Sequence, residues 1–384
     1  MVRKPYLTVE WNDTETDAVG WLCVYNFANH YAGGGTRMHP SVHQEEVIRL
    51  ATGMGYKYKA AEITSTGGCK GGISYDSKKP DALDVLKRYL IAIQPYMKAG
   101  TSMGGDLGVD YLDVLKIFGE IGIDSVPQTK AMKADPAIQQ GIINHDLACE
   151  MSYDVFKMYD MITGYGVVFS ADEAWKLKGG APGAKVVIQG FGCVGASAAY
   201  CFDKMGYTVV GIADANRLVY CPDGLDVKKL VAAKLPKGEL DPASFESHYQ
   251  EMDNSKWVEL DCDILVPAAL EDVIHKDNAH LVKASLIVEG ANIPTTAEAD
   301  KILFEKGVDV SVDFVASMGG IRIYEALIFR VVEAVPQDIV DDLDQVVRRS
   351  TRKLFEEAKK SGRYQRDVAY EIFAPDPSDA PDLL

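Results

Sequence analysis

Residues 186–214 read VVIQGFGCVGASAAYCFDKMGYTVVGIAD: a short apolar run, a glycine-rich turn, a helical pattern and a second apolar run that closes on an acid. The spacing Gly190-x-Gly192-x-x-Gly195 falls directly after the first run and opens the helix. That context gives each glycine a task. Gly190 makes a tight turn, Gly192 lets the backbone approach a pyrophosphate, and Gly195 packs helix against strand, with Val194 among the helix N-terminal residues that face the phosphates. Asp214 follows Gly190 by 24 residues, near the usual interval of about 20 at which a carboxylate bonds the adenosine ribose hydroxyls. The stretch predicts a dinucleotide-binding unit. Asp214 would repel a 2′-phosphate and so favours NAD, whereas the nearby Arg217 would attract one and keeps NADP open.

Further apolar runs continue the series: AKVVIQG (184–190), YTVVGIAD (207–214), CDILVPAA (262–269) and ASLIVEGAN (284–292). Strands separated by helical stretches of this length predict a parallel, doubly wound sheet. Upstream, from Trp11 to about Leu147, strand-like and glycine-rich segments alternate with helical patterns at 44–54 and 81–93. This reads as a second α/β unit without a nucleotide fingerprint. A helical pattern at 145–159 leads into TGYGV, and after Gly320 the chain is helical to about Lys360, with Asp344, Arg348 and Arg349 on a solvated face. The last stretch, APDPSDAPDLL, reads as a frayed tail. The fold class is α/β: an N-terminal α/β substrate domain over 1–147, completed by returning C-terminal helices in 331–384, and a Rossmann dinucleotide-binding domain over 148–330.

Composition sets outer bounds. The chain has 384 residues, 47% hydrophobic and 25% charged, with a formal net charge of −16. No basic tract offsets the acid excess, which argues against a nucleic-acid or anionic-membrane partner. No signal-peptide pattern or apolar run of about 18 residues occurs, so a cytoplasmic protein is expected. Seven scattered cysteines without a CxxC pair indicate neither a disulfide framework nor a zinc site, and no metal is expected.

Residues 65–76 read STGGCKGGISYD, with Lys70 between two glycine pairs. Upstream GMGYKYKAA supplies Lys57 and Lys59, and downstream SMGGDLGVD supplies Asp106. Singly, each is an ordinary solvated lysine or a turn aspartate. Together they suit a small-molecule dehydrogenase: one lysine fixes a substrate carboxylate, a second, desolvated beside another cation, becomes a usable base, and the carboxylate shuttles the proton of a departing amine. The glycines are read as letting substrate and nicotinamide press against the backbone.

In order, GGGTRMHPSV, GMGYK, GGCKGGI, GGDLG, TGYGV, GFGCVG, YCPDGLD, PAALE, EGANIPTT and MGGI resemble the pattern of the glutamate/leucine/phenylalanine/valine dehydrogenase family. The resemblance runs from about Gly33 to Gly320. It implies an NAD(P)-dependent, reversible oxidative deamination of an L-amino acid to a 2-oxo acid and ammonia, in a homo-oligomer. By position it implies Lys57 on the substrate carboxylate, Lys70 activating water, Asp106 exchanging protons with the amine, Thr163 at the nicotinamide carboxamide and Asn292 near its ribose. Lys59 is the alternative carboxylate ligand, because one residue more than usual separates Lys57 from Lys70. Ser317 stands where an asparagine is usual, Gly33 where glutamate enzymes carry a lysine, and Tyr324 where they carry a serine. An apolar or aromatic substrate is therefore expected, with glutamate, another NAD-linked oxidoreductase reaction and a non-catalytic nucleotide-binding regulator as alternatives.

Overall fold

The computed structural model describes residues 4–123, 136–376 and 378, the side chains of 137 and 138 excepted. The chain divides into two compact units, residues 1–140 with 373–384, and residues 141–372.

The first unit is built on a five-stranded sheet. Its strands are β1 (Leu7–Asn12), β2 (Val19–Val24), β3 (Ala32–Met38), β4 (Gly67–Ser74) and β5 (Thr101–Gly105), in the order β1-β2-β4-β3-β5. The stretch around Lys70 is thus the central strand, antiparallel to β2 and parallel to β3. Helix Gln44–Ala60 runs further than the 44–54 pattern and carries Glu45 and Glu46 in its first turn and Lys57 and Lys59 in its last, charges that match the helix dipole at both ends. The second helix, Ala82–Ala99, buries Val85, Leu86, Tyr89, Leu90 and Ile93 in the core.

The glycines of β4 have a different reason from the one expected. A Cβ on Gly68 would stand 2.2 Å from the backbone nitrogen of Gly55, so helix Gln44–Ala60 lies directly against the strand. Helix-to-strand contact, rather than ligand approach, requires glycine there.

The second unit holds a seven-stranded sheet: β6 (Lys185–Gln189), β7 (Thr208–Ala213), β8 (Leu218–Tyr220), β9 (Gln250–Met252), β10 (Ile264–Pro267), β11 (Leu286–Val288) and β12 (Asp309–Ser311), ordered β9-β8-β7-β6-β10-β11-β12. The pairs from β7 through β6 and β10 to β12 are parallel, as read from their apolar runs, while β8 and β9 add an antiparallel edge. The chain leaves β6 for β7 on one side and returns to β10 on the other. Such a switch of direction is where doubly wound sheets open a crevice for ligands.

Three expectations are corrected. The 145–159 helical pattern is interrupted: helix Pro136–Glu150 ends, a two-residue hairpin follows in which Asp154 has φ 51°, and helix Met158–Leu177 takes up TGYGV. Helix Pro336–Ser361 belongs to the second unit, not the first. Its stripe of Ile339, Leu343, Val346, Val347 and Leu354 packs on Met158–Leu177, and Arg348, expected in solvent, pairs with Asp172 at 2.5 Å. Finally, part of the tail is tied down: Lys59 bonds Asp376 at 2.7 Å and the Phe27 N–H donates to Ser378 Oγ at 2.8 Å. Residues 379–384 lie outside the described residues.

Candidate active site

In the first unit, the buried centre of β4 presents Lys70, 5% exposed. Its ammonium pairs with the Asp106 carboxylate, which follows β5. Arg37, on β3 and equally buried, reaches the same carboxylate oxygen with Nε at 3.5 Å while its Nη1 donates to Glu46 at 2.8 Å. Burial opposes ionisation of Asp106, but the charges of Lys70 and Arg37 outweigh it and hold the carboxyl well below its usual range. Two adjacent strands, the turn after β5 and helix Gln44–Ala60 thus bring together two cations and two acids, in alternation.

Lys57 and Lys59 sit two positions apart on helix Gln44–Ala60 and so point to different faces. Lys57 is buried, whereas Lys59 is turned outward onto Asp376. Gly33 lies on β3, and a Cβ there would come within 2.7 Å of the Tyr58 hydroxyl. Tyr58 thus fills the space beside the Gly33 Cα.

In the second unit, Gly190 has φ 101°, a region that L side chains avoid. A Cβ on Gly195 would stand 2.0 Å from the Gly190 carbonyl oxygen, whereas one on Gly192 would meet nothing within 4 Å; the Gly192 backbone is itself backed by Gly238, whose Cβ would stand 2.9 Å from the Gly192 Cα. Gly192 caps helix Cys193–Lys204 without a side chain over its first amides, that of Val194 among them, and the position its own Cβ would take is open. This cradle fits a dinucleotide pyrophosphate.

Asp214 departs from the expected picture. Its Oδ1 accepts from the amides of Asn216 and Arg217 at 2.7 and 2.8 Å, and Oδ2 from that of Leu240 at 2.7 Å. The buried carboxylate shapes the turn after β7, with three backbone amides on its two oxygens. The Arg217 side chain meets Glu251 at 3.3 Å.

Thr163 lies on helix Met158–Leu177, beside the turn of Ser317 to Gly320: a Cβ on Gly319 would touch the Ile162 carbonyl at 2.4 Å, and one on Gly320 would be 3.7 Å from Thr163 Oγ1. Asn292 is half-buried on the loop after β11. Tyr324, on helix Gly319–Ile328, packs edge-on to His145 at 5.3 Å. Arg322 is buried in a two-pronged pair with Asp342 at 2.7 and 2.8 Å. Sequence reasoning passed over Arg37, although it stands inside GGGTRM next to the glycines that drew attention.

Known proteins bear on this site. The family model described as Glutamate/Leucine/Phenylalanine/Valine dehydrogenase matches residues 156–374, and the model of the Glu/Leu/Phe/Val dehydrogenase dimerisation domain matches residues 6–121. The chain belongs to the glutamate/leucine/phenylalanine/valine dehydrogenase family. It is an amino-acid dehydrogenase, an oxidoreductase of the CH–NH2 group that works with NAD or NADP. The NADP-specific glutamate dehydrogenase of Saccharolobus shibatae is 35% identical over 322 residues, 79% of this chain and 69% of that protein. The NAD-specific glutamate dehydrogenase of Staphylococcus aureus is 33% identical over 310 residues, 79% of this chain and 70% of that one. Among solved structures, the hetero-hexameric glutamate dehydrogenase of Thermus thermophilus in its Leu-bound form superposes with a TM-score of 0.73 at 26% identity, covering 96% of this chain and 87% of the other. The L-tryptophan dehydrogenase of Nostoc punctiforme, at 20% identity and a TM-score of 0.61 over 96% and 95% of the two chains, shares the fold. Among the described residues no cluster suits a metal ion, and no helix is long and apolar enough to cross a membrane.

Proposed function

We propose that this family member interconverts an uncharged, apolar or aromatic L-amino acid with its 2-oxo acid and ammonia. The observation that carries the reading is the buried Lys70–Asp106 pair with Arg37 beside it. Asp106, ionised beside Lys70, can take up the proton that the substrate ammonium gives up and return it to the amine nitrogen as ammonia leaves, and Lys70, once it has released its own proton, can take one from the attacking water. Buried Lys57 fixes the substrate carboxylate in preference to Lys59, which is engaged with Asp376. The uncapped amides after Gly192 hold the pyrophosphate, with Thr163 and Asn292 serving the nicotinamide side. When bound, the dinucleotide supplies the acceptor for the hydride on the substrate Cα.

Substrate choice follows from charge. A side-chain carboxylate needs a buried cation. Gly33 supplies none, Arg322 is engaged with Asp342, and Tyr324, packed on His145, supplies an aromatic ring rather than a cation. Glutamate is the second reading, favoured by the names of the relatives. Reductive amination of 2-oxoglutarate against 4-methyl-2-oxopentanoate and phenylpyruvate, each with NADH or NADPH and ammonium, separates the two: preference for 2-oxoglutarate overturns the apolar assignment. NAD is the expected coenzyme, since Arg217 is drawn to Glu251 and the Asp214 carboxylate at the end of β7 would repel a 2′-phosphate. The protein works as a homo-oligomer in the cytoplasm, in keeping with its dimerisation-domain match and seven free cysteines.

A further inference from the structure

A chain of buried charge joins the last helix to the loop that carries Asn292. Glu289, fully buried at the end of β11, accepts from Arg366 Nη2 on Oε1 at 2.5 Å and from Arg366 Nη1 on Oε2 at 3.1 Å. The same Oε2 accepts the Asp313 backbone amide at 2.9 Å. Asp313 in turn takes the Ile293 amide on its own Oδ2 at 2.9 Å, and its carbonyl accepts both the amide and the hydroxyl of Ser317 at 2.8 Å. Ile293, next to Asn292, has φ 43°, a conformation that a β-branched residue keeps only when its surroundings impose it. Arg366, on helix Gln365–Ile372, also donates through Nε to Asp300 at 2.6 Å.

We propose that Arg366 is a positioning residue for the dinucleotide side of the site: it neutralises Glu289 so that this carboxylate can hold Asp313, which clamps both the Asn292–Ile293 loop and the Ser317 turn. Removing the guanidinium leaves Glu289 buried without its counter-charge, and a buried carboxylate in that state moves or takes a proton. The clamp then loosens on two segments at once, twenty residues or more away along the chain from one another. The C-terminal helix thereby bears on coenzyme binding without touching the coenzyme.

The inference rests on the dehydrogenase reading, and the test separates the two. Binding of NADH and NADPH to the full-length wild type is measured first by the fluorescence of the reduced nicotinamide; no binding of either would sink the dehydrogenase reading itself. Given wild-type binding, Arg366→Met should weaken it about ten-fold, a typical coupling between linked sites, and raise KM for the coenzyme more than it lowers kcat. Glu289→Gln with Arg366→Met should restore part of the affinity, because a neutral amide oxygen still accepts the Asp313 N–H and only Asp300 is then left as a carboxylate without the guanidinium. Arg366→Lys keeps the charge but not the fork, and should show a smaller loss of affinity if Arg366→Met does not fold. Wild-type affinity in whichever single variant folds, or a double variant that binds no better than Arg366→Met or, where that does not fold, than Arg366→Lys, overturns the proposal.

Discussion

Two glycine-rich stretches, Gly67 to Gly72 and Gly190 to Gly195, look alike in the sequence and do opposite things in the fold. In the first, the missing Cβ atoms are filled by the protein itself: at Gly68 the nearest backbone atom of the neighbouring helix would be 2.2 Å away. In the second, Gly190 and Gly195 are filled in the same way, but a Cβ on Gly192 would meet nothing within 4 Å. Glycine is thus a packing residue where a helix must lie on a strand, and a binding residue only where the emptiness is left for something else. In the first stretch, the one long side chain is that of Lys70, on which the proposed chemistry rests.

The comparison yields tests of decreasing size. Lys70→Ala should lower turnover by about 10²–10⁴, the usual worth of a positioned acid or base, while reduced-dinucleotide binding by fluorescence stays as in the wild type. Near-normal turnover would remove Lys70 from the chemistry and leave the first stretch purely structural. Gly68→Ala should destabilise the fold by about 3 kcal/mol or more, the upper end of overpacking costs, since backbone cannot rotate out of the way. Thermal unfolding reads this directly, and an unchanged midpoint would mean that helix Gln44–Ala60 does not rest on β4 as described.

Gly192→Ala inverts that pattern. Its φ of −70° suits any residue, so stability should shift by no more than about 0.5 kcal/mol, whereas a methyl group between the amides and a phosphate should weaken dinucleotide binding about ten-fold, or roughly 1.4 kcal/mol. A variant that loses stability but binds normally would put Gly192 in the same class as Gly68. The smallest effect concerns acid stability. Asp106 has its folded pKa depressed below the unfolded value, so its ionised form stabilises the fold above the carboxylate range near about pH 4, and that contribution is lost as the pH falls through and below it. In Asp106→Asn the decline of the unfolding midpoint on acidification should be shallower; an identical acid limb would show that the Lys70 and Arg37 charges do not act on this carboxylate.

Much of the second unit was legible because its signals are local. Each of β6, β7, β10 and β11 is an unbroken apolar run, as expected of strands covered on both faces, and the helix after Gly192 is announced by the glycines before it. The short edge strands β8 and β9 carry no such signal. Helix Pro336–Ser361 illustrates the limit: its start at Pro336 and its end at Gly362, φ 66°, are written locally, but the unit it joins depends on which apolar surface accepts its stripe. Asp214 is similar. Its spacing from Gly190 marks an acid at the end of β7, while its engagement by three amides, one of them from Leu240, depends on a loop that returns from far along the chain.

By itself the sequence determined the family and the α/β class, and it singled out the glycine turn and Lys57, Lys70 and Asp106 as candidates, because motif spacing and apolar runs are properties of neighbouring residues. Tertiary structure alone decided that Lys70 stands at the centre of a sheet, that Arg37 shares its aspartate, that Tyr58 closes the space at Gly33, and that Arg366 reaches Glu289 from 77 residues away. Those are encounters between distant segments. Their energies come from charges and backbones brought into contact in a dry interior, and no spacing along the chain records them.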